Sequence, residues 1–193
     1  MAKYVVGITG ASGSIYAARL LEELLRLKHE VYLVVTDCGK KVMEYELNDS
    51  LADILARYEN QSGSIRLYDS SDFFAPIASG SFPVDGMVVL PCSMTTLAKI
   101  SNGIGDNLLV RAVDVSIKEK RNLVIVPRET PLSTIHLRNM LKLSEMGVTI
   151  LPAMPNFYHR PVTIEEIVDS IVGRILRSLG IENNLYFEWD GSR

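Results

Sequence analysis

The first 35 residues alternate between strand, turn, helix and strand, and this order restricts the chain to few folds. Residues 4–8 are apolar and predict a buried strand, which a Gly/Ser turn at 9–14 follows. Residues 15–28 carry apolar side chains at helical spacing, and residues 31–35 predict a second buried strand. Such a unit predicts parallel strands joined by a right-handed crossover.

The rest of the chain continues the alternation. Further strands are predicted at 65–68, 87–90, 123–126 and 148–151, and further helices at 39–45, 51–57, 107–120 and 133–146. Pro91 is expected to end its strand, and residues 69–83 to form a long ordered loop. The pattern predicts an α/β fold, a doubly wound and mainly parallel sheet flanked by helices.

The last predicted helix has the strongest pattern. Apolar residues recur at helical spacing from Ile164 to Leu179, Thr163 and Glu166 have the spacing of a capping box, and Gly180 ends the helix. We therefore expect one domain over residues 1–180, with a tail at 181–193 that packs near the site or a subunit interface and holds Trp189.

Composition excludes several classes of protein. A net charge of −3 gives no field that would attract nucleic acid or an anionic membrane, and no apolar run is long enough to span a bilayer. Two cysteines outside any C-x-x-C pair and three histidines argue against a zinc site. Reduced thiols and no recognisable targeting segment predict a cytoplasmic protein without a metal.

The turn after the first strand is a candidate phosphate site. Glycine at positions 10 and 13 allows close approach, and the following helix offers N–H groups at its N-terminus. The alternative is a turn that needs glycine for geometry alone. The spacing of Gly7, Gly10 and Gly13 departs from G-x-G-x-x-G, although Asp37 keeps a dinucleotide site open.

Two further strands are followed by polar residues. After residues 87–90 comes Pro91-Cys92-Ser93-Met94-Thr95-Thr96, where Ser93 is either a ligand or an ordinary helix N-cap. Cys92 has no neighbouring base and is expected to be a buried structural thiol. After residues 123–126, Arg128 and Glu129 form either part of the same site or a surface ion pair.

A basic and aromatic loop, residues 157–160, suits either an anion site or a hydrophobic plug. On the last helix, Arg174 lies at the edge of the apolar arc and Arg177 points farther toward solvent. Arg174 can therefore reach a pocket, or merely extend its charge to water.

Eight segments occur in order along the chain. They are Thr9-Gly10-Ala11-Ser12-Gly13, Ala78-Ser79-Gly80-Ser81, Pro91-Cys92-Ser93, Asp106-Asn107-Leu108-Leu109 with Arg111-Ala112, Lys118-Glu119-Lys120-Arg121, Val126-Pro127-Arg128-Glu129, His136-Leu137-Arg138-Asn139-Met140 and Phe157-Tyr158-His159. Together they closely resemble one family, the UbiX/Pad-type flavin prenyltransferases, once described as 3-polyprenyl-4-hydroxybenzoate carboxy-lyases. The resemblance runs from about Lys3 to Trp189.

The resemblance implies an FMN-binding, flavodoxin-like Rossmann fold in a homododecamer with its sites between subunits. It implies that FMN is held by Gly10, Ala11, Ser12, Thr36, Ser93, Met94, Thr95, Thr96 and Arg128. It implies that the phosphate of dimethylallyl monophosphate is held by Lys118, Glu129, Tyr158 and Arg174. Glu46 matches another acidic site residue, and Ser12 and Glu129 are the expected proton shuttles.

In the enzymes that the chain resembles, N5 of reduced FMN bonds to the allylic C1 as phosphate leaves, and flavin C6 then attacks C3. Lys118, Tyr158 and Arg174 would assist departure of the phosphate without metal, and the phosphate or Glu129 would accept the C6 proton. The product, prenylated FMN, would serve a UbiD-type decarboxylase in ubiquinone biosynthesis or aromatic-acid decarboxylation.

Two positions depart from the family pattern. Thr36 replaces a frequent serine, and Phe73 stands where some members have tryptophan, which would lower the rate if an aromatic face stabilises allylic cation character. Two other functions stay open. One is a cysteine-decarboxylating flavoprotein with a catalytic histidine, and the other is a flavin carrier without chemistry.

Overall fold

The computed structural model describes residues 1–185 and residue 191. The strands are β1 (Lys3–Ile8), β2 (Glu30–Val35), β3 (Ser64–Tyr68), β4 (Gly86–Cys92), β5 (Leu123–Pro127) and β6 (Thr149–Ile150). The helices are α1 (Ser14–Arg26), α2 (Asp37–Leu47), α3 (Leu51–Ala56), α4 (Met94–Ser101), α5 (Leu108–Lys118), α6 (Thr134–Glu145) and α7 (Ile164–Ser178). A short 3₁₀ helix, Pro76–Ala78, interrupts the long loop expected at 69–83.

The six strands form one sheet in the order β3-β2-β1-β4-β5-β6, and every neighbouring pair is parallel. Tyr4 lies opposite Val31 of β2 on one side and Gly86 of β4 on the other. The order of strands reverses between β1 and β4, which opens a crevice at the carboxyl ends of these strands. The predicted doubly wound, parallel α/β fold is confirmed.

Successive side chains of each strand point to opposite faces of the sheet, and they are buried in two apolar cores, one on each face. Val6 and Ile8 face the core that α1 and α7 cover, whereas Val5 faces the core formed with α4, α5 and α6. Strands covered on both faces must be apolar throughout, which explains the continuous hydrophobic runs in the sequence.

The prediction that Pro91 ends its strand is wrong. β4 continues through Pro91 to Cys92, and its register with β5 shifts between Val89 and Cys92. This irregularity accommodates a residue that has no N–H to donate to the ladder. The Pro91 carbonyl remains in use, because it accepts a hydrogen bond from the Thr9 N–H at 3.2 Å.

Two details of α7 also differ from the sequence pattern. Ile164, expected in the apolar arc, is 66% exposed because it is the first residue of α7 and precedes the buried turns. Thr163 caps the helix by accepting from the Glu166 N–H, but the Glu166 carboxylate accepts from the Val162 N–H at 2.6 Å. The predicted reciprocal capping box is therefore only half formed.

The start of the C-terminal tail packs on the domain. Ile181 is buried in the core beneath α7, and Asn183 Nδ2 donates to the Gly173 carbonyl at 3.2 Å. Trp189 lies outside the described residues, so the expected placement of the tail remains a prediction.

Candidate functional site

A buried threonine joins the loops that follow β1 and β4. The Thr9 hydroxyl donates to the Pro91 carbonyl at 2.8 Å and accepts from the Ser93 N–H at 2.7 Å. Thr9 is 1% exposed, so these bonds are shielded from water. Thr9 is not among the predicted site residues, although a hydroxyl directly after an apolar strand is a usable signal.

The amides at the start of α1 already have an anionic partner. The Glu46 carboxylate accepts from the Ser14 N–H at 2.8 Å and from the Gly13 N–H at 3.0 Å, and it also bonds the Ser12 hydroxyl. Burial alone would raise the pKa of Glu46, but these hydrogen bonds outweigh it and lower that pKa. Glu46 is thus an ionised carboxylate at a helix N-terminus, which the helix dipole favours.

This carboxylate changes the interpretation of the glycine turn. The glycine turn predicts that a phosphate binds the N–H groups of this turn and of α1, but the structure places Glu46 on them instead. Gly10 is needed for packing, because a Cβ there would lie 2.8 Å from Cys38 Cβ in α2. The structure therefore favours the alternative in which glycine serves the geometry of the turn.

The start of α4 offers a second helix N-terminus at the same rim. Ser93 is the N-cap, and its Oγ accepts from the Thr96 N–H at 3.3 Å and lies 3.0 Å from Thr96 Oγ1. Met94 is buried and anchors the first turn, while Thr95 is exposed. Both interpretations of Ser93 are compatible here, because a capped helix N-terminus beside a crevice is also a binding site for anions.

Arg128 connects the end of β5 to the first loop. Its Nε donates to the Ser12 carbonyl at 3.1 Å, and its main-chain N–H donates to the Cys92 carbonyl at 3.3 Å. Across β1, the Thr36 hydroxyl caps α2 by accepting from the Gly39 N–H at 3.1 Å. The predicted flavin residues of four different loops therefore meet at the carboxyl ends of β1, β2, β4 and β5.

A cavity of about 380 Å³ opens beside Arg128 and the exposed Glu129. This volume lies within the usual range for small-molecule sites. The other residues that line it are Pro127, Thr130, Leu132, Met140, Pro152, Ala153 and Met154.

Lys118 lies away from this rim. It is the last residue of α5, and β5 begins at Leu123, so Lys118 is at the amino end of the parallel sheet. Its ammonium group forms an ion pair with Glu119. The predicted phosphate ligand and the predicted flavin ligands are therefore at opposite ends of the sheet within one chain.

Tyr158 and Arg174 occupy two further positions. Tyr158 lies in the loop after β6 and is 46% exposed. Arg174 lies near the end of α7, whose Ser178 carbonyl accepts from Asn122 Nδ2, just before β5, at 2.9 Å. Because α5 and α7 cover opposite faces, the sheet separates Lys118 from Arg174.

The three histidines have contacts within the chain, and of the two cysteines Cys38 is exposed and Cys92 is buried. His29 packs edge-on against Tyr4, His136 Nδ1 accepts from the Ser133 N–H in the cap of α6, and His159 bonds Asn156. Cys92 is fully buried, and burial raises the pKa of its thiol, as expected for a structural cysteine.

Within residues 1–185 and 191, no group of three or more His, Cys, Asp or Glu side chains is arranged to hold a metal ion. Among the helices of the same residues, none has the length and apolarity to cross a membrane.

Comparison with known proteins identifies similar chains. The family model described as Flavoprotein matches residues 1–176. A flavin prenyltransferase UbiX of Alkalihalophilus pseudofirmus is 51% identical over 188 residues, covering 95% of this chain and 94% of the relative.

Two solved structures extend the similarity to the fold. AnUbiX (PadA1), in complex with FMN and dimethylallyl pyrophosphate, matches with a TM-score of 0.93 at 39% identity, over 100% of this chain and 99% of that one. A dodecameric FMN-dependent UbiX-like decarboxylase from Escherichia coli O157:H7 matches with a TM-score of 0.87 at 46% identity, over 94% and 96%. The similarity thus covers the rim, both cores and α7 rather than a single motif.

Proposed function

The chain belongs to the flavoprotein family and, within it, to the flavin prenyltransferases, and we propose that it transfers a dimethylallyl group from dimethylallyl monophosphate to N5 and C6 of reduced FMN. The observation that carries the proposal is the rim, where Arg128, the Ser12–Glu46 pair and the start of α4 converge on the crevice between β1 and β4. A relative of the same fold is complexed with FMN and an allylic pyrophosphate.

The donor groups at the rim fit FMN. Its phosphate needs N–H and hydroxyl donors and a cation, and the start of α4 with Ser93, Thr95 and Arg128 supplies these. Because Glu46 occupies the start of α1, we assign the FMN phosphate to α4 and the flavin ring to the Gly10–Ser12 side of the crevice. When bound, reduced FMN supplies the nucleophilic N5 and C6.

Glu46 is suited to orient the Ser12 hydroxyl beside the flavin. That hydroxyl donates to a carboxylate that Gly13 and Ser14 also keep ionised, so the position of the serine oxygen is fixed, and this oxygen can relay a proton. Glu129, exposed beside the cavity, is the second candidate base.

Lys118, Tyr158 and Arg174 would bind the allylic phosphate. Cations and a phenol hydroxyl stabilise the negative charge that develops as the carbon–oxygen bond breaks. One chain holds these residues on α5, the loop after β6 and α7, with the sheet between Lys118 and Arg174. We infer that neighbouring subunits of a homo-oligomer, a dodecamer in one relative, complete each site.

The surface of α6 supports assembly. Ile135 is 66% exposed, Leu137 52% and Leu141 60%, so several large apolar side chains of one helix face solvent in the single chain. Exposed apolar surface of this kind is typical of protein interfaces.

Two downstream inferences complete the proposal. The product would serve a UbiD-type decarboxylase, in ubiquinone biosynthesis or aromatic-acid decarboxylation. Both cysteines are free thiols in the structure, which supports the cytoplasmic location that the sequence predicts.

The decarboxylase alternative requires a catalytic histidine, and each of the three histidines already has a structural contact within the chain. His136 completes the cap of α6, His29 packs on Tyr4, and His159 bonds Asn156 in the loop after β6. A flavin carrier that performs no chemistry would use the Ser12–Glu46 hydrogen bond only to stabilise the turn after β1.

The deciding experiment is an anaerobic incubation with dithionite-reduced FMN and dimethylallyl monophosphate, followed by mass spectrometry of the flavin. We expect a flavin heavier by one five-carbon unit. Calorimetry should show FMN binding, with a gain in thermal stability by mass action. Binding of NADPH without FMN, or an unaltered flavin, would contradict the proposal.

A further inference from the structure

The ion pair between Lys118 and Glu119 is not explained by the stability of the fold. Both side chains are about half exposed, at 47% and 39%. Glu119 is the C-cap of α5, where the helix dipole favours cations and disfavours a carboxylate. Lys118 satisfies this preference in the last turn, and Glu119 opposes it. An exposed pair of this kind contributes little to stability.

A neighbouring backbone segment is shaped around this pair. Gly80 lies against it, since a Cβ on Gly80 would overlap the Glu119 carboxylate and come within 2.6 Å of Lys118 Nζ. Arg111 Nε donates to the Ala78 carbonyl at 3.1 Å, and Arg121 donates to the Gly80 carbonyl at 2.7 Å. Glycine at position 80 and two arginines thus hold the segment directly against Lys118 and Glu119.

The charges around Gly80 form a small basic cluster that two carboxylates oppose. Arg111 is paired with Asp114 at 2.7 Å, Arg121 binds main-chain carbonyls, and Lys118 is paired with Glu119. Two hydroxyls on the same segment, Ser79 and Ser81, lie 2.8 Å apart. Cations and hydroxyl groups favour the binding of an oxyanion, whereas the Glu119 carboxylate repels one.

We propose that Glu119 determines specificity at this site, disfavouring allylic diphosphates relative to monophosphates by placing a fixed negative charge beside Lys118. The proposal rests on the proposed function, in which Lys118 binds the phosphate of the allyl donor. A phosphate that reaches Lys118 must share it with Glu119 and lies close to that carboxylate. The resulting repulsion grows with the charge of the anion, and a diphosphate carries more negative charge than a monophosphate.

Glu119→Gln removes the negative charge and keeps the size and shape of the side chain. The amide oxygen of glutamine still accepts a hydrogen bond from Lys118, and the side chain keeps its length. The fold should tolerate the change, because the C-terminus of α5 loses an unfavourable charge. We expect the melting temperature to stay unchanged or to rise slightly.

The measurement is calorimetric titration of the FMN-loaded, oxidised protein with dimethylallyl monophosphate and, separately, dimethylallyl diphosphate. Oxidised FMN prevents turnover, so binding alone is observed. In Glu119→Gln we expect the Kd for the diphosphate to fall about fivefold and that for the monophosphate about twofold. Glu59→Gln, the same change at an exposed position after α3, is the control and should alter neither.

Equal changes in both dissociation constants, or weaker binding of both, would show that Glu119 only positions Lys118 and would overturn the proposal. If the wild-type protein bound FMN but neither phosphate, and formed no product with reduced FMN, the proposed function would fail as well. A ratio of the two constants that shifts in favour of the diphosphate in Glu119→Gln, but not in Glu59→Gln, supports selection by charge, and a shift in favour of the monophosphate contradicts it.

Discussion

The two predicted binding regions differ in how the chain builds them. At the carboxyl rim, hydrogen bonds that involve Thr9, Ser93, Arg128 and Glu46 join α2 and the loops after β1, β4 and β5 within one chain. Of the residues assigned to the allylic phosphate, only Glu129 lies beside Arg128 at this rim. The other three, Lys118, Tyr158 and Arg174, are distributed over α5, the loop after β6 and α7, on both faces of the sheet. The difference suggests that flavin binding is a property of the single chain, whereas binding of the allyl donor depends on assembly.

The largest effect should come from Arg174→Ala. We expect this variant to bind FMN normally but to require far more allyl monophosphate and to alkylate slowly. Loss of a charge-assisted contact leaves the bound phosphate underpaired, at a cost on the order of 2–5 kcal/mol for a desolvated pair. Product formation measured against the concentration of dimethylallyl monophosphate gives the change in KM and in kcat.

Arg177→Ala is the matched control, since both arginines are exposed on the same part of α7. It should leave the kinetics almost unchanged. Equal kinetics for the two variants, or loss of FMN from Arg174→Ala alone, would mean that the wrong arginine or the wrong ligand has been assigned.

A second comparison separates capping from binding at the start of α4. Ser93→Ala removes both the cap of α4 and a proposed phosphate ligand, so the free energy of unfolding should fall by about 1 kcal/mol. FMN affinity should fall about tenfold as well, because a hydrogen bond to a charged group is worth roughly 1.5–3 kcal/mol. Denaturant unfolding of the apoprotein and calorimetry with FMN measure the two effects separately.

Ser133→Ala removes an equivalent N-cap, that of α6. It should lower stability to a similar extent and leave FMN affinity intact. If both variants lost the same affinity, the effect would reflect general loosening rather than a ligand at Ser93.

Most of the fold could be predicted from the sequence because fully buried parallel strands need continuous apolar runs, and β1, β2, β4 and β5 have them. The end of β4 was predicted wrongly, because local rules treat Pro91 as a stop. The neighbouring β1 loop uses its carbonyl, and a register shift absorbs the missing donor.

The site was less predictable for a physical reason. Glu46 comes 33 residues after Gly13 along the chain, and no local pattern indicates that its carboxylate will cover the start of α1. The family resemblance marked Glu46 as a site residue, but only the structure shows which amides it binds. The ion pair of Lys118 with Glu119 adjoins Gly80, a contact that also depends on the folded chain.

A smaller effect concerns acid stability through Glu46. Burial opposes ionisation, but hydrogen bonds from Ser12, Ser14 and Gly13 keep the pKa of this carboxyl below its unfolded value. Its contribution to stability is therefore complete above that unfolded value and is lost as pH falls through the native pKa. Glu46→Gln should be less stable than wild type near neutral pH, and the difference should shrink below about pH 4.5. Denaturant midpoints measured across this range provide the test.

Glu145→Gln, at the exposed end of α6, is the control for Glu46→Gln and should follow the wild-type profile. A Glu46→Gln variant whose stability difference from wild type stayed constant down to acid pH would show that the carboxylate is not ionised at the start of α1.

The smallest effect on chemistry should come from Cys92→Ala, even though Cys92 directly precedes the proposed flavin ligand Ser93. Its side chain is fully buried in the core beside α4, and burial raises the pKa of the thiol well above neutrality, so no thiolate is present to attack a substrate. Removing the sulfur leaves a small cavity, and we expect a loss of about 1 kcal/mol in the free energy of unfolding. Product formation per FMN-loaded protein should equal that of wild type. Cys38→Ala, an exposed change against Gly10 at the other side of the crevice, should also keep the chemistry, since no thiolate step is required. A Cys92→Ala protein that folds and binds FMN but forms no prenylated flavin would show that the rim has a nucleophile that the present assignment lacks.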